Sequence, residues 1–253
     1  MYIVIAGKNK CAIEAHKYLR NKYPQHEIIG VANSDDDVND GWQPSFKKYL
    51  LKNRYTEYRL NDCYDLEDMI FFSVEFDKII KTENFKSKKL FNLHFSLLPK
   101  YRGCHTNFLQ IYKGEKFSGV TLHKIDKGID TGDIIDKVRF KIKINDTAHE
   151  NYLRLMKFST ILFKKCFYKI LNNNYKLKKQ ILPNGSYYNR KSVNYKKIKK
   201  FNIKKFNFKM HNKIRSLIFP FYQVPIVNGV KIKKSIYKNK KINLIASSNN
   251  RFK

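Results

Sequence analysis

The residues Phe91-Asn92-Leu93-His94-Phe95-Ser96-Leu97-Leu98-Pro99 begin with the pattern of a strand and end with that of a turn. Alternate side chains of a strand point to one face, so Asn92 and His94 face the same way near its carboxyl end. Open α/β sheets place their binding sites outside the carboxyl ends of their strands. This stretch therefore predicts a strand of such a sheet, with two polar side chains at the edge where sites form.

The segments around this strand predict the rest of the sheet. Apolar, β-branched runs alternate with amphipathic segments over residues 1–145, which is typical of a mostly parallel sheet covered by helices. The predicted strands cover residues 2–6, 27–32, 69–73, 89–93, 118–124 and 134–144. A helix is predicted over residues 10–21, with one face formed by Ala12, Ala15, His16 and Leu19.

The carboxyl-terminal part predicts two further helices. Thr147-Ala148-His149-Glu150 has the spacing of a capping box and predicts the start of a long helix. Asn172-Asn173-Asn174 marks the end of that helix, and Asn184-Gly185 is a turn signal. Beyond the turn, the sequence predicts a helix over residues 204–217 and two short strands around Gly229.

The positive charge is distributed unevenly along the chain. The whole sequence carries a net charge of +31, but its last acidic residue is Glu150. Residues 151–253 hold 27 Lys and Arg residues, so they contribute +27 and the first 150 residues only +4. Such a segment should attract anions: nucleic acid, anionic lipid or a phosphorylated small substrate. A solvated, Lys-rich surface without a dedicated partner is the alternative.

Several classes of protein are disfavoured. Cys11, Cys63, Cys104 and Cys166 are too widely spaced for a zinc ribbon or a disulfide framework, and reduced thiols indicate a reducing compartment. No signal peptide precedes the first strand, and the most apolar late run, residues 217–227, is short and contains two prolines. We therefore expect a cytoplasmic protein without a metal site or a membrane span.

Two motifs that suggest other enzymes are incomplete. The first strand ends in Gly7-Lys8-Asn9-Lys10, which lacks the G-x-G-x-x-G loop of dinucleotide-binding proteins. Asp130-Thr131-Gly132 is similar to the motif of aspartic proteases, but those enzymes need two such loops in an all-β fold. The tight loop that contains Asp130 comes 36 residues after His94, and it could present a carboxylate beside the histidine.

Two blocks of sequence together resemble the folate-dependent formyltransferase family. Residues 92–103 read N-x-H-x-S-L-L-P-x-Y-R-G, and residues 119–135 read G-V-T-L-H-x-I-D-x-G-I-D-T-G-D-I-I. The family includes glycinamide ribonucleotide transformylase, methionyl-tRNA formyltransferase and the sugar N-formyltransferases. The resemblance implies a Rossmann-like domain that uses 10-formyltetrahydrofolate, with the catalytic residues Asn92, His94 and Asp130.

The chemistry of these three residues suits that reaction. An amine attacks the formyl carbon, and Asn92 and His94 can donate hydrogen bonds to the formyl oxygen as charge builds on it. His94 can also accept the proton that the amine loses, while Asp130 holds the imidazole in one orientation. The resemblance further implies a pterin site, bound mainly through backbone groups, at these residues: Phe76, Lys78, Ile79, Ile80, Ile125 and Asp130.

The sugar N-formyltransferases are the branch that the chain resembles most. The tRNA-binding β-barrel of the methionyl-tRNA branch is larger than the part of this chain after residue 185. The resemblance therefore implies a catalytic domain over residues 1–183, and a small helix and β-hairpin subdomain over residues 184–253 that completes a nucleotide-sugar pocket and forms a homodimer. It favours dTDP-4-amino-4,6-dideoxyglucose as the acceptor, for a surface polysaccharide such as the lipopolysaccharide O-antigen. The 3-amino isomer is the alternative.

Residues that would bind this substrate are also implied by the resemblance. Phe221 or Tyr222 would stack on the thymine, and Arg215 would serve its own helix or the phosphates. The other expected phosphate contacts are Arg190, Lys8, Asn9 and Lys10. A different class of function, a basic protein that binds RNA or an anionic surface on the same fold, is less favoured because the catalytic residues are all present.

Overall fold

The computed structural model describes residues 1–203 and 207–247. Within these residues the strands are β1 (Tyr2–Gly7), β2 (Glu27–Ala32), β3 (Met69–Val74), β4 (Leu90–His94), β5 (Arg102–Gly103), β6 (Phe117–Lys124), β7 (Ile134–Lys141), β8 (Tyr187–Tyr188), β9 (Lys200–Phe201), β10 (Ile226–Val227), β11 (Val230–Lys238) and β12 (Lys241–Ala246). The α-helices are α1 (Asn9–Lys22), α2 (Phe46–Lys52), α3 (Thr106–Tyr112), α4 (Ala148–Leu171), α5 (Tyr195–Ile198) and α6 (Phe208–Ser216).

A six-stranded sheet with the order β2-β1-β3-β4-β6-β7 confirms the predicted fold class. β1 pairs in parallel with β2 and β3, and β3 pairs in parallel with β4. The pairing of β4 with β6 is antiparallel. The strand predicted over residues 134–144 was too long, because β7 ends at Lys141 and the next amide, that of Ile142, donates to the carbonyl of Lys116.

The chain forms two compact units, each built from several segments. The first contains Met1–Arg102, Gly119–Val138 and Met156–Ser186. The second contains Gly103–Ser118, Arg139–Leu155 and the described residues from Tyr187 onward. The domain boundary expected between residues 183 and 184 remains a prediction.

The first unit buries apolar side chains on both faces of its sheet. On one face Phe71 belongs to a buried cluster with Ile29, Phe85 and Leu90. On the other face Phe72 lies 5.0 Å from the ring of Phe163, which belongs to α4. Strands that are buried on both faces need continuous apolar runs, which explains the β-branched and aromatic composition of β1 and β3.

Both long helices form where their sequences predict, and α1 extends one residue further at each end than expected. The face of α1 that was expected to be buried, including Ala12 and Leu19, is buried. At the start of α4 the backbone N–H of Thr147 donates to the carboxylate of Glu150 at 2.7 Å, and the N–H of Glu150 donates back to Thr147 Oγ1 at 3.3 Å. This is the predicted capping box, and it satisfies backbone donors that a helix start leaves unpaired.

The second unit contains a four-stranded sheet with the order β12-β11-β10-β9. The antiparallel pair β10 and β11 forms the expected hairpin around Gly229, and β12 adds a strand that was not predicted. α6 begins at Phe208, because the side chain of Asn207 accepts a hydrogen bond from the N–H of Met210 at 3.0 Å. The predicted start of this helix, at residues 204–206, lies outside the described residues.

A buried histidine makes the stability of the protein depend on pH. His16 lies in α1 among aromatic rings, 5.6 Å from Tyr49 and 5.1 Å from Tyr55. Burial is the main cause that lowers the pKa of His16 from 6.5 to about 4, and the charge of Arg20 adds to it. As the pH falls, His16 is therefore protonated in the unfolded chain before it is protonated in the folded chain. The contribution of neutral His16 to the free energy of unfolding is complete above about pH 6.5 and is lost as the pH falls toward 4.

We predict that His16→Phe removes this part of the pH dependence. The shift corresponds to about 3 kcal/mol. Denaturant titrations at pH values from 7.5 down to 4 measure the free energy of unfolding of both proteins. As the pH falls over this range, the variant should lose about 3 kcal/mol less of this free energy than the wild type loses. The difference between the two proteins should stay constant above about pH 6.5. Parallel curves over the whole range would contradict the assignment.

Candidate active site

The strand β4 places Asn92 and His94 on one face, at the carboxyl end of the sheet. In the antiparallel register with β6, Asn92 lies opposite His123 and His94 lies opposite Thr121. β3 and β4 run in parallel, so the loops that follow them leave from the same edge of the sheet. The predicted position of the two polar side chains is the one that the structure shows.

The carboxylate of Asp130 lies between these side chains. Its Oδ2 is 3.3 Å from Nδ1 of His94, and its Oδ1 accepts a hydrogen bond from Nδ2 of Asn92 at 3.0 Å. The side chains of His94 and Asp130 are only 8% and 11% exposed. A carboxylate so far removed from water needs such partners, since a buried and unpaired charge is strongly destabilising. The structure thus brings together all three residues that the sequence selected.

His94 has oxygen acceptors on both sides of its ring. Its Nε2 lies 2.7 Å from the carbonyl oxygen of Tyr101, which can only accept, so Nε2 carries a hydrogen. Its Nδ1 faces the carboxylate of Asp130. The carbonyl oxygen of Tyr101 and the carboxylate of Asp130 thus fix the orientation of the ring from its two sides.

His123 is a fourth member of the cluster, and sequence reasoning missed it. Its Nδ1 lies 2.7 Å from the carbonyl oxygen of Lys124, so Nδ1 carries the hydrogen and Nε2 accepts from Asn92 at 3.2 Å. Nε2 is also 3.4 Å from Oδ1 of Asp130. The amide hydrogens of Asn92 are thereby shared between His123 and Asp130. The signal that could have revealed His123 is its cross-strand position opposite Asn92.

The two residues that contact the ring of His94 have unusual backbone conformations. Tyr101 has φ of +59° and Asp130 has φ of +54°, in the left-handed region that residues with a side chain rarely adopt. Each conformation costs on the order of 1–3 kcal/mol and persists only when the surrounding structure imposes it. Such strain is concentrated at functional sites, which supports a functional role for this cluster.

The expected pterin site divides into packed and exposed positions. Ile80 is buried in the apolar cluster beneath the sheet, and Phe76 and Ile125 pack partly against the same cluster. Lys78 and Ile79 are exposed, Ile79 by 71%. Ile80, Phe76 and Ile125 thus have the packing role foreseen for the apolar positions and Ile79 does not, while the pterin contacts remain a prediction.

The predicted phosphate contacts of the first unit lie at the carboxyl end of β1. Lys8 is the extended residue before α1, and its Nζ is 4.0 Å from Oδ2 of Asp35. Asn9 has φ of +60°, and Lys10 is exposed. Because β1, β3 and β4 run in the same direction, these residues belong to the same edge of the sheet as His94.

Arg215, which was expected to serve its own helix or the phosphates, is buried in the second unit. Its side chain is 2% exposed and donates from Nε to Oδ1 of Asn212 at 2.9 Å and from Nη1 to the carbonyls of Lys143 and Asp146. Burial lowers the pKa of its guanidinium to about 10, while the nearby charge of Asp146 opposes this effect. The contacts of Arg215 are thus with its own helix and with two backbone carbonyls, and both expected roles of this residue remain predictions.

The other expected substrate contacts of the second unit are accessible. Arg190 is exposed, and its backbone carbonyl lies 3.0 Å from Nε2 of His105. Phe221 and Tyr222 are 54% and 72% exposed, and the ring of Phe221 makes an edge contact with His149. Exposed aromatic rings of this kind can stack on a base, and the substrate contacts of these residues remain predictions.

Residues 1–203 and 207–247 hold neither a membrane-spanning helix nor a metal-binding cluster. No helix within these ranges combines the length and apolar composition that a bilayer crossing requires. Within the same ranges, no group of three or more His, Cys, Asp or Glu side chains is arranged so that it could hold a metal ion.

The chain is similar to known formyltransferases. A family model described as "Formyl transferase" matches residues 2–166. A crystal structure of WlaRD, described as a sugar 3N-formyl transferase with dTDP and 5-N-formyl-THF, is 47% identical with a TM-score of 0.89, over 94% of this chain and 87% of that one. A structure of the N-formyltransferase from Helicobacter canadensis, in complex with folinic acid and dTDP-3-aminofucose, is 44% identical with a TM-score of 0.89, over 94% and 88% of the two chains.

Curated relatives match over shorter stretches. The bifunctional polymyxin resistance protein ArnA of Wigglesworthia glossinidia brevipalpis is 42% identical over 110 residues, which cover 43% of this chain. The chain spans 17% of that protein, and 51% of the methionyl-tRNA formyltransferase of Prochlorococcus marinus that it also matches.

We predict that Gly132→Ala distorts the loop that carries Asp130. A Cβ at Gly132 would lie 1.9 Å from the carbonyl oxygen of Lys124, so the backbone must move. The free energy of unfolding should fall by about 1–3 kcal/mol, as for other overpacked sites. Gly41→Ala is the matched control, because no atom lies within 4 Å of its added Cβ, and it should change stability by less than about 1 kcal/mol. Equal effects of the two substitutions would contradict the prediction.

Proposed function

Because the matched region covers more than half of the chain, the protein belongs to the formyl transferase family, and we propose that it formylates the amine of a dTDP-linked amino-dideoxy sugar. One observation carries the reaction type: Asn92, His94 and Asp130 form a single hydrogen-bonded cluster at the carboxyl edge of the sheet. The acceptor class is supported by the two sugar N-formyltransferases that align with 94% of the chain.

We further propose that the amine is at C3 of the sugar. The two similar structures are described as a sugar 3N-formyl transferase and as a complex with dTDP-3-aminofucose. The 4-amino isomer, which the sequence favoured, is the second candidate for the acceptor.

The formyl donor is proposed to be 10-formyltetrahydrofolate, which supplies the formyl carbon when bound. The first unit offers apolar groups that suit a flat ring, because the segment after β3 contains the exposed Ile79 and the half-buried Phe76. Ile125 begins the loop that follows β6, and Asp130 lies within this loop, 3.3 Å from His94. These residues fit a donor bound close to the cluster of His94.

Each polar side chain of the cluster has a distinct role in the proposed reaction. The hydrogen on Nε2 of His94 is held by Tyr101, so the proton lost by the amine is taken at Nδ1 of the neutral ring. Asp130 lies 3.3 Å from this atom and stabilises the imidazolium that results. Asn92 donates to the formyl oxygen once one of its amide hydrogens leaves His123 or Asp130.

The second unit supplies the proposed contacts to the nucleotide. Phe221 and Tyr222 present aromatic faces that suit a thymine, and Arg190 has the guanidinium that suits a diphosphate. We propose that the protein acts as a cytoplasmic homodimer. The acid-free segment after Glu150 could also serve an RNA acceptor, so formylation of methionyl-tRNA is the competing function that the charge distribution favours.

The proposal predicts a mass change in a defined acceptor. Purified protein with 10-formyltetrahydrofolate should add one formyl group to a dTDP-3-amino-dideoxyhexose, as measured by mass spectrometry. The dTDP-4-amino isomer and methionyl-tRNA are tested in parallel. dTDP-glucose, whose sugar has no amine, is the negative control. Turnover of the 4-amino isomer alone would overturn the C3 assignment, and turnover of methionyl-tRNA alone would overturn the sugar assignment.

The proposal also predicts that His94→Asn abolishes turnover and leaves the fold intact. Asparagine can still donate a hydrogen bond but cannot accept a proton near neutral pH, so kcat should fall at least about a hundredfold. His26→Asn, at a histidine in the loop before β2, is the matched control and should retain the wild-type kcat. Circular dichroism checks that both variants fold, and a kcat for His94→Asn within about threefold of the wild type would refute the catalytic assignment.

A further inference from the structure

A segment outside the sequence motifs contacts both Asp130 and Tyr101, the two residues whose oxygen atoms flank the ring of His94. The connecting segment, residues 172–186, follows α4 and forms an antiparallel bridge in which Lys178 pairs with Ile134. Both hydrogen bonds of this bridge are short, at 2.9 and 2.8 Å. The bridge fixes the connecting segment to the start of β7, directly after the loop that carries Asp130.

Gln180 holds the backbone of the Asp130 loop. Its Nε2 donates to the carbonyl oxygen of Asp130 at 3.0 Å and to that of Gly132 at 2.7 Å. Both acceptors are carbonyls, so the side-chain nitrogen must face them and the orientation of the amide is defined. A single side chain thus holds the loop in which Asp130 adopts its left-handed conformation.

Ser186 holds the other partner of His94 in a similar way. Its Oγ accepts a hydrogen bond from the N–H of Tyr101 at 2.9 Å, and its carbonyl accepts from the N–H of Arg102 at 2.8 Å. The N–H of Ser186 in turn donates to the carbonyl of Pro99 at 3.2 Å. These three bonds define the turn in which Tyr101 directs its carbonyl oxygen at Nε2 of His94.

The side chain of Gln180 is not fully satisfied. Its Oε1 is buried without a hydrogen-bond partner among the described residues. Buried polar atoms are rarely left unpaired, so a residue selected for stability alone would be expected to pair this oxygen. An amide kept for the geometry of the Asp130 loop accounts for the arrangement.

We propose that Gln180 and Ser186 are positioning residues for formyl transfer, and that they act through Asp130 and Tyr101 to hold the ring of His94. The inference rests on the proposed function, since it assigns the two residues a role in that reaction. Gln180 fixes the acceptor at Nδ1 and Ser186 fixes the acceptor at Nε2. Loss of either contact lets the ring turn away from the orientation in which it can take the proton.

The first test separates kcat from KM. Gln180→Met keeps the size of the side chain and removes the donor, and it should lower kcat by roughly tenfold to a hundredfold while KM for the aminosugar stays within about threefold. Gln180→Glu should lower kcat further, because the new carboxylate would be repelled by the carbonyl oxygens of Asp130 and Gly132. Lys179→Ala, at the exposed neighbour, is the matched control and should leave kcat unchanged.

The second test observes His94 without any substrate. Nitrogen-15 NMR of the histidine rings, with the signal of His94 identified by its absence in His94→Asn, should show a shifted His94 resonance in Gln180→Met and none in Lys179→Ala. Because this measurement needs no turnover, it tests the positioning even if the wild type formylates none of the sugars. A wild type without activity would then refute only the proposed function.

Ser186→Ala makes the proposal testable if Gln180→Met does not fold. This change removes only the acceptor of the Tyr101 amide, and it should also lower kcat and shift the resonance of His94. A wild-type kcat together with an unshifted His94 resonance in either folded variant would overturn the proposal. A loss of kcat with an equal rise in KM and an unshifted resonance would also overturn it, since that pattern shows a general structural effect.

Discussion

The contact between the carboxylate of Asp130 and the imidazole of His94 is the interaction around which this site is built. Both side chains are withdrawn from water, so each needs the other as a partner. Asn92 adds a hydrogen bond at 3.0 Å to the same carboxylate, and His123 lies 3.4 Å from it. The four side chains therefore share one network, in which the loss of any member leaves a polar atom of its neighbours without a partner.

The backbone around the network has to be held in place by other parts of the first unit. Tyr101 and Asp130 both adopt left-handed conformations, and both provide the oxygen atoms that flank His94. Gln180 and Ser186 contact the two loops from a single segment. The free energy that tight packing and these hydrogen bonds contribute offsets the strain, so the ring is oriented before any substrate binds.

Local patterns were sufficient to predict the sheet and the shared face of Asn92 and His94, whereas the choice of the three central side chains rested on the resemblance to the formyltransferases. The strand pattern of residues 89–93 and the turn after it predicted that Asn92 and His94 face the same way, and the structure shows them on one face of β4. A tight loop 36 residues after His94 was expected to present a carboxylate beside the histidine. The capping box before α4 was predicted for the same reason, because all of its partners lie within four residues.

The residues that the sequence did not reveal depend on tertiary contacts. His123 joins the network through strand register, and Gln180 reaches Asp130 across 50 residues of chain. The resemblance assigned Arg215 to its own helix or to the phosphates, and packing buries it against the carbonyls of Lys143 and Asp146. Whether such a side chain is buried is decided by the fold and not by its neighbours in sequence.

The central claim is that the Asp130 carboxylate makes His94 competent to take the proton of the attacking amine. Single-turnover kinetics of Asp130→Asn measure this directly, because the substitution keeps the shape of the side chain and removes its charge. With bound donor and aminosugar, the rate of formyl transfer should fall at least about a hundredfold. A rate within about threefold of the wild type would contradict the account.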